Sequence, residues 1–161
     1  MDNILHTVVV ISLLCIVYQD IQYRAVYWFL FPIIIIGSGI LHYTHTMDFY
    51  FYTSTLLNSI LVLSILTILF LYNRIIVKKS FFKEVFGLGD VLFFVALAVA
   101  FPTITFIIIF CFALFFSMLV WLIFRKKAKH NTVPLAGYMA LFLTGVYTMS
   151  WLTKTGNLYM I

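Results

Sequence analysis

The feature that most constrains this chain is a succession of long apolar segments with almost no charge inside them. They run from about Ile4 to Gln19, Ala25 to Leu41 and Phe49 to Tyr72, then without a single charge from Val91 to Phe124, and finally from Pro134 to Leu152. A bilayer hydrocarbon core about 30 Å thick is crossed by about 20 helical residues, with roughly 17–25 tolerated. Each segment therefore reads as membrane-crossing helix. The first two are short and lean on Tyr18, Tyr23, Tyr27 and Trp28, an aromatic cluster suited to the lipid–water boundary. Composition agrees: with 65% hydrophobic and 9% charged residues there is too little polar surface to clothe a soluble fold. Met1-Asp2-Asn3 has no positive n-region and no A-x-A site follows, so the first segment is expected to be retained as a span.

The stretch from Val91 to Phe124 is too long for one crossing, at about 51 Å for a continuous helix. Pro102 lies inside it, and the residue before a proline resists helical geometry. Two helices with a turn near Phe101-Pro102-Thr103 are expected, the first of them short. Basic residues support the split. Arg24 follows the first span, Arg74, Lys78, Lys79 and Lys83 the third, and Arg125, Lys126, Lys127 and Lys129 the fifth, leaving only Lys154 of ten on the other side. The positive-inside rule makes those loops cytoplasmic. The expected fold is all-α, a polytopic membrane protein with six transmembrane helices, N-out/C-out, forming one domain over residues 1–161.

The net charge of +5 sits in short loops between apolar spans, which argues against nucleic acid as a partner and for the lipid bilayer. The loop from Asn73 to Phe86 could touch anionic headgroups through Lys78, Lys79 and Lys83, although topology determinants are the plainer account. Cys15 and Cys111 fall within apolar runs with no CxxC, so they read as buried small apolar residues and not as a disulfide or zinc framework.

Five acidic residues remain to be explained. Asp2 and Asp48 fit solvated external positions, and Glu84 sits beside Lys83 as an exposed pair of little energetic weight. Asp20 and Asp90 differ. One ends the first span and the other opens the fourth, so both are expected at the cytoplasmic face. Asp20 faces the negative end of a helix dipole, which Arg24 could offset if the helix continues. Asp90 could serve as an N-cap after turn glycines. That does not require both Gly87 and Gly89, in a chain with only seven glycines. Two glycines permit unusual dihedrals and close approach of another backbone.

Two carboxyls in one site cannot both ionise cheaply and so share a proton. The ionised member can activate water, and the protonated member can polarise a peptide carbonyl and then protonate the leaving nitrogen. That chemistry requires no metal or cofactor. His42 and His45 could share a metal, but interfacial histidines are the simpler account, and His6 and His130 are isolated. Phe115, Phe116 and Met118 read as lipid-facing or interhelical packing.

Gly87-Leu88-Gly89-Asp90 resembles the GxGD signature of intramembrane aspartyl proteases. Asp20 before Gln22-Tyr23-Arg24 resembles the first catalytic aspartate of type IV prepilin peptidases, and Val133-Pro134-Leu135-Ala136-Gly137 resembles the start of that family's last helix. The resemblance covers nearly the whole chain. It implies Asp20 and Asp90 as the catalytic pair, Gly87, Gly89 and Arg24 as support, a pilin-like precursor as substrate, and the cytoplasmic membrane as location. Leu92 stands where many members have lysine, and the cysteine-rich zinc segment of longer members is missing, as is any glycine-rich nucleotide motif. Two rivals stay open: a non-enzymatic transporter or complex subunit, and a GxGD protease with other substrates. A transporter would place its acids nearer the midplane.

Overall fold

The computed structural model describes residues 2–77, 87–125, 133–153, 158 and 159. Among them there is no strand, and six α-helices follow one another: α1 Asp2–Tyr23, α2 Leu30–His45, α3 Asp48–Tyr72, α4 Leu88–Ala100, α5 Thr103–Phe124 and α6 Leu135–Thr153. A π-helical turn, Asn73–Val77, extends α3. Four helices are long and apolar enough to cross a membrane, Asp2–Tyr23, Asp48–Ile76, Thr103–Phe124 and Leu135–Leu152, while α2 and α4 are shorter apolar helices.

The break within Val91–Phe124 falls where proline geometry puts it, with Phe101 and Pro102 extended between α4 and α5. The second helix starts later than the apolar run suggests, at Leu30 and not Ala25. Pro32 supplies the reason. It has no N–H to give, so it fits only the first helical turn, where none is needed, and a start at Leu30 puts it there. The first helix conversely runs past Gln19 to Tyr23, so Asp20 lies within it.

Contacts fix the directions of α1, α2, α4 and α6, and the short connections carry α3 and α5 between them. Asp2 reaches His45, Asn3 reaches Trp151, and Phe101 lies against Tyr159, so one end of the bundle gathers the start of α1 and the ends of α2, α4 and α6. The opposite end gathers the close of α1 and the starts of α4 and α6. The helices alternate up and down.

Helix α4 forms the centre: Phe93, Phe94, Ala96, Leu97, Ala98 and Ala100 are all buried. Helix α3 is peripheral and buries only Ser54, Asn58 and Val62. Close packing of α2 depends on glycine. A Cβ on Gly37 would lie 2.8 Å from Val9 Cγ2 of α1, and one on Gly39 would lie 3.1 Å from Val99 Cγ1 of α4. The last carbonyls of a helix lack internal partners. At the end of α4 side chains supply them: Asn58 Nδ2 donates to Ala98 O (3.0 Å) and Phe101 O (2.9 Å), and His42 Nδ1 donates to Val99 O (2.9 Å).

The outer surface is apolar, with Ile104, Ile108, Phe112, Phe115, Met118 and Ile123 of α5 exposed. Phe116 instead packs on Phe142 of α6. Cys15 is half-buried and Cys111 exposed on that outer face, so the expectation of two buried cysteines does not hold. Tyr18, Tyr23, Tyr27 and Trp28 are all exposed around the α1–α2 connection. Lys78, Lys79, Lys83, Glu84, Lys126, Lys127, Lys129, His130 and Lys154 lie outside the described residues.

Candidate functional site

At the end of the bundle where α1 closes and α4 and α6 begin, two carboxylates meet one helix terminus. The first four N–H groups of a helix have no partner inside it. In α6 two of these are taken by side chains from other helices. Ala136 N–H donates to Asp90 Oδ1 at 2.7 Å, and Gly137 N–H donates to Asp20 Oδ2 at 2.6 Å. Successive Cα atoms are about 3.8 Å apart, so the carboxylates occupy one patch. The positive end of the α6 dipole points at both, an arrangement that favours anionic oxygen. Asp20 is buried and Asp90 nearly so. Asp20 Oδ1 accepts no hydrogen bond among the described residues and is left for water or a ligand.

The local sequence explains how each group arrives. Asp90 is not the N-cap of α4; Gly87 is, and Asp90 occupies the third helical position. From there Asp90 Oδ2 accepts the Gly87 N–H at 3.3 Å, the reciprocal half of a capping box. Neither glycine of the Gly87–Asp90 segment has a left-handed backbone, so unusual dihedrals are not their role. Gly87 is needed for space, since its Cβ would come within 3.1 Å of Asp90 Oδ2, whereas at Gly89 a Cβ would meet only Phe31, at an ordinary 3.7 Å. The tightest requirement is Gly137. A Cβ there would lie 3.0 Å from Asp20 Oδ2 and 3.1 Å from Asp20 Cβ. Pro134 contributes the carbonyl that accepts Tyr138 N–H at 3.1 Å, starting the α6 hydrogen-bond ladder.

Arg24 does not pair with Asp20 through a continuing helix. The helix stops at Tyr23, Arg24 turns to φ 56°, and its guanidinium lies 5.9 Å from the centre of the Trp121 ring. Its N–H donates to Asp20 O at 3.2 Å, which keeps Arg24 at the end of α1 that carries Asp20. Leu92 is exposed and brings no charge.

The remaining polar candidates are elsewhere. His42 and His45 are at the opposite end and are committed separately. His42 is fully buried on Val99 O, while His45 holds Leu41 O through Nδ1 (2.8 Å) and faces Asp2 Oδ2 through Nε2 (3.6 Å). They do not form a shared metal pair. His6 is not isolated: it bonds Asp2 O and lies between Tyr147 and Trp151. Asp48 opens α3 as its first residue. Reading the sequence for side-chain chemistry passed over the amides of Ala136 and Gly137, for which the only signal was the proline and glycine at the head of α6.

The fold and site define an all-α bundle with a paired-carboxylate centre on a helix N-terminus. Comparison with protein-family models, curated proteins and solved structures returned no match.

Proposed function

We propose that the chain is a membrane aspartyl endopeptidase with six spans, N-out/C-out, cutting the leader from pilin-like precursors at the cytoplasmic face. The observation that carries this reading is the convergence of Asp20 and Asp90 on successive amides of α6. Asp20 is oriented by one backbone bond and Asp90 by two, and Asp20 keeps an oxygen free to hold the attacking water. Like charges on one patch favour a single shared proton. One member then acts as base toward water, while the other polarises the scissile carbonyl and protonates the departing nitrogen. The alternating helices and exposed Arg74 and Arg125 support the orientation, since both follow helices that end where Asp20 lies. The leader would be short and basic and would end, after a glycine, at an apolar helix.

The same hydrogen bonds favour a second reading, in which the aspartates only cap α6 in a non-enzymatic transporter or subunit. Asparagine separates the two. It keeps the accepting oxygen, and so the cap, but cannot act as a base. Purified wild type, Asp20→Asn and Asp90→Asn are incubated with a precursor and the cut is mapped by mass spectrometry. The peptidase reading expects cleavage by wild type only, with all three equally folded, and Asp48→Asn as a fully active control. Substantial cleavage by either asparagine variant would sink the catalytic assignment.

A further inference from the structure

Arg24 combines three features that call for an explanation. It is the sole non-glycine with positive φ among the described residues, in a position after a helix where glycine is the usual choice. Its Nε and Nη1 are shut off from solvent and have no hydrogen-bond partner. Its guanidinium is placed over an aromatic ring, Trp121 of α5, and among the described residues it forms no ion pair. Strain of this kind persists where the surroundings enforce it, and it marks functional positions. A buried cation with idle donors is tolerable only near compensating negative charge. Among the described residues the acidic groups at this end of the bundle are Asp20 and Asp90, and the Arg24 N–H donates to the Asp20 carbonyl at 3.2 Å. Among the described residues the ionisable groups gathered here are Asp20 and Arg24 of α1, Asp90 of α4 and Tyr138 of α6, which feels both Arg24 and Asp20. Arg125, at the end of α5, is exposed.

We propose that Arg24 is a positioning residue: held on Trp121 without an acceptor of its own, it supplies through space the positive charge that keeps Asp20 and Asp90 together on the α6 terminus. A guanidinium hydrogen-bonded to one carboxylate would occupy the oxygen that is otherwise left for water. Placed over the indole, it balances both and leaves their oxygens to the α6 amides and to water. The rigid, always-charged guanidinium suits such a place better than a mobile ammonium.

The test has two arms. The kinetic arm rests on the peptidase reading and compares Arg24→Gly, Arg24→Gln and Arg24→Lys in precursor cleavage. Glycine suits the left-handed turn, so a residue serving only that turn would be replaced by glycine without loss. A charge role expects Arg24→Gly and Arg24→Gln to lower kcat about tenfold or more with KM little changed. Arg24→Lys should stay within about threefold, and guanidinium ion should partly restore Arg24→Gly. Wild-type turnover by Arg24→Gly would overturn the proposal. The second arm needs no substrate. Arg24→Gln is introduced into wild type and into Asp20→Asn/Asp90→Asn, and thermal unfolding is measured in detergent. The melting temperature should fall in the first background and stay level or rise in the second, where the buried cation has lost its counter-charges. Equal shifts in both backgrounds would overturn the coupling whether or not the chain cuts anything. Absence of cleavage by wild type would count against the peptidase reading alone.

Discussion

Gly137→Ala offers the sharpest geometric probe of the site. The new methyl would lie 3.0 Å from Asp20 Oδ2 and 3.1 Å from Asp20 Cβ. Carbon atoms rest comfortably at about 3.5–4.0 Å, so α1 and α6 must part locally by roughly 0.5 Å. Swinging the carboxylate tip aside is no remedy, because its Cβ is also too close and is fixed to the α1 backbone. The bond at risk is the 2.6 Å contact from Gly137 N–H to Asp20 Oδ2. Hydrogen bonds to a charged group contribute about 1.5–3 kcal/mol, and stretching by half an ångström should forfeit about half of that. A loss of roughly 0.8–1.5 kcal/mol lowers the melting temperature by about 2–4 °C per kcal/mol in a chain of this size. Turnover should fall further, by about tenfold or more, since misplacement of a reacting group by about 1 Å can cost 10²-fold. Gly145→Ala on the same helix is the internal control: nothing lies within 4 Å of a Cβ there, and alanine is the better helix former. Precursor cleavage and thermal unfolding are measured for both variants. If Gly137→Ala matches Gly145→Ala in both assays, the close approach of α1 to α6 does not set the site.

Other consequences can be checked separately. Asn58→Ala removes the donor shared by Ala98 O and Phe101 O at the end of α4, and should cost about 1–3 kcal/mol in detergent unfolding; an unchanged midpoint would mean those carbonyls find other donors. Gly37→Ala should destabilise by about 1–3 kcal/mol through its 2.8 Å approach to Val9 Cγ2, and Val9→Ala in the same chain should recover most of the loss. Cysteines introduced near positions 79 and 127 should label from one side of the membrane, and labelling from opposite faces would break the N-out/C-out scheme.

The sequence exposed the elements that depend on long runs and strong breakers. Six helices, the interruption at Pro102 and the placing of Asp20 and Asp90 at one end follow from apolar length, proline geometry and the alternation of basic residues. Boundaries were less legible where two signals compete. The apolar run suggests that α2 begins at Ala25, but the missing amide of Pro32 favours Leu30. Tertiary polar contacts were illegible for a different reason. Nothing in the neighbourhood of Asn58 or His42 indicates that their partners are carbonyls forty or more positions away, at 2.9–3.0 Å. The four-residue spacing of Asp20 and Arg24 suggests a helical pair if the helix continues, but the left-handed turn at Arg24 ends it and the guanidinium lies near Trp121.

The donors that orient the carboxylate pair are main-chain amides, and this changes what a mutational scan of the site can reveal. Any residue except proline at position 136 still presents the N–H that Asp90 accepts, so side-chain variation there perturbs packing without removing the donor. A scan would therefore map the site as Asp20, Arg24, Asp90 and Gly137 and leave its electrostatic floor invisible. Proline is the exception. It is accommodated in a first helical turn yet carries no N–H, so Ala136→Pro deletes one donor while keeping the carboxylates and Gly137. Half of the cradle beneath Asp20 and Asp90 can thus be edited only through the backbone.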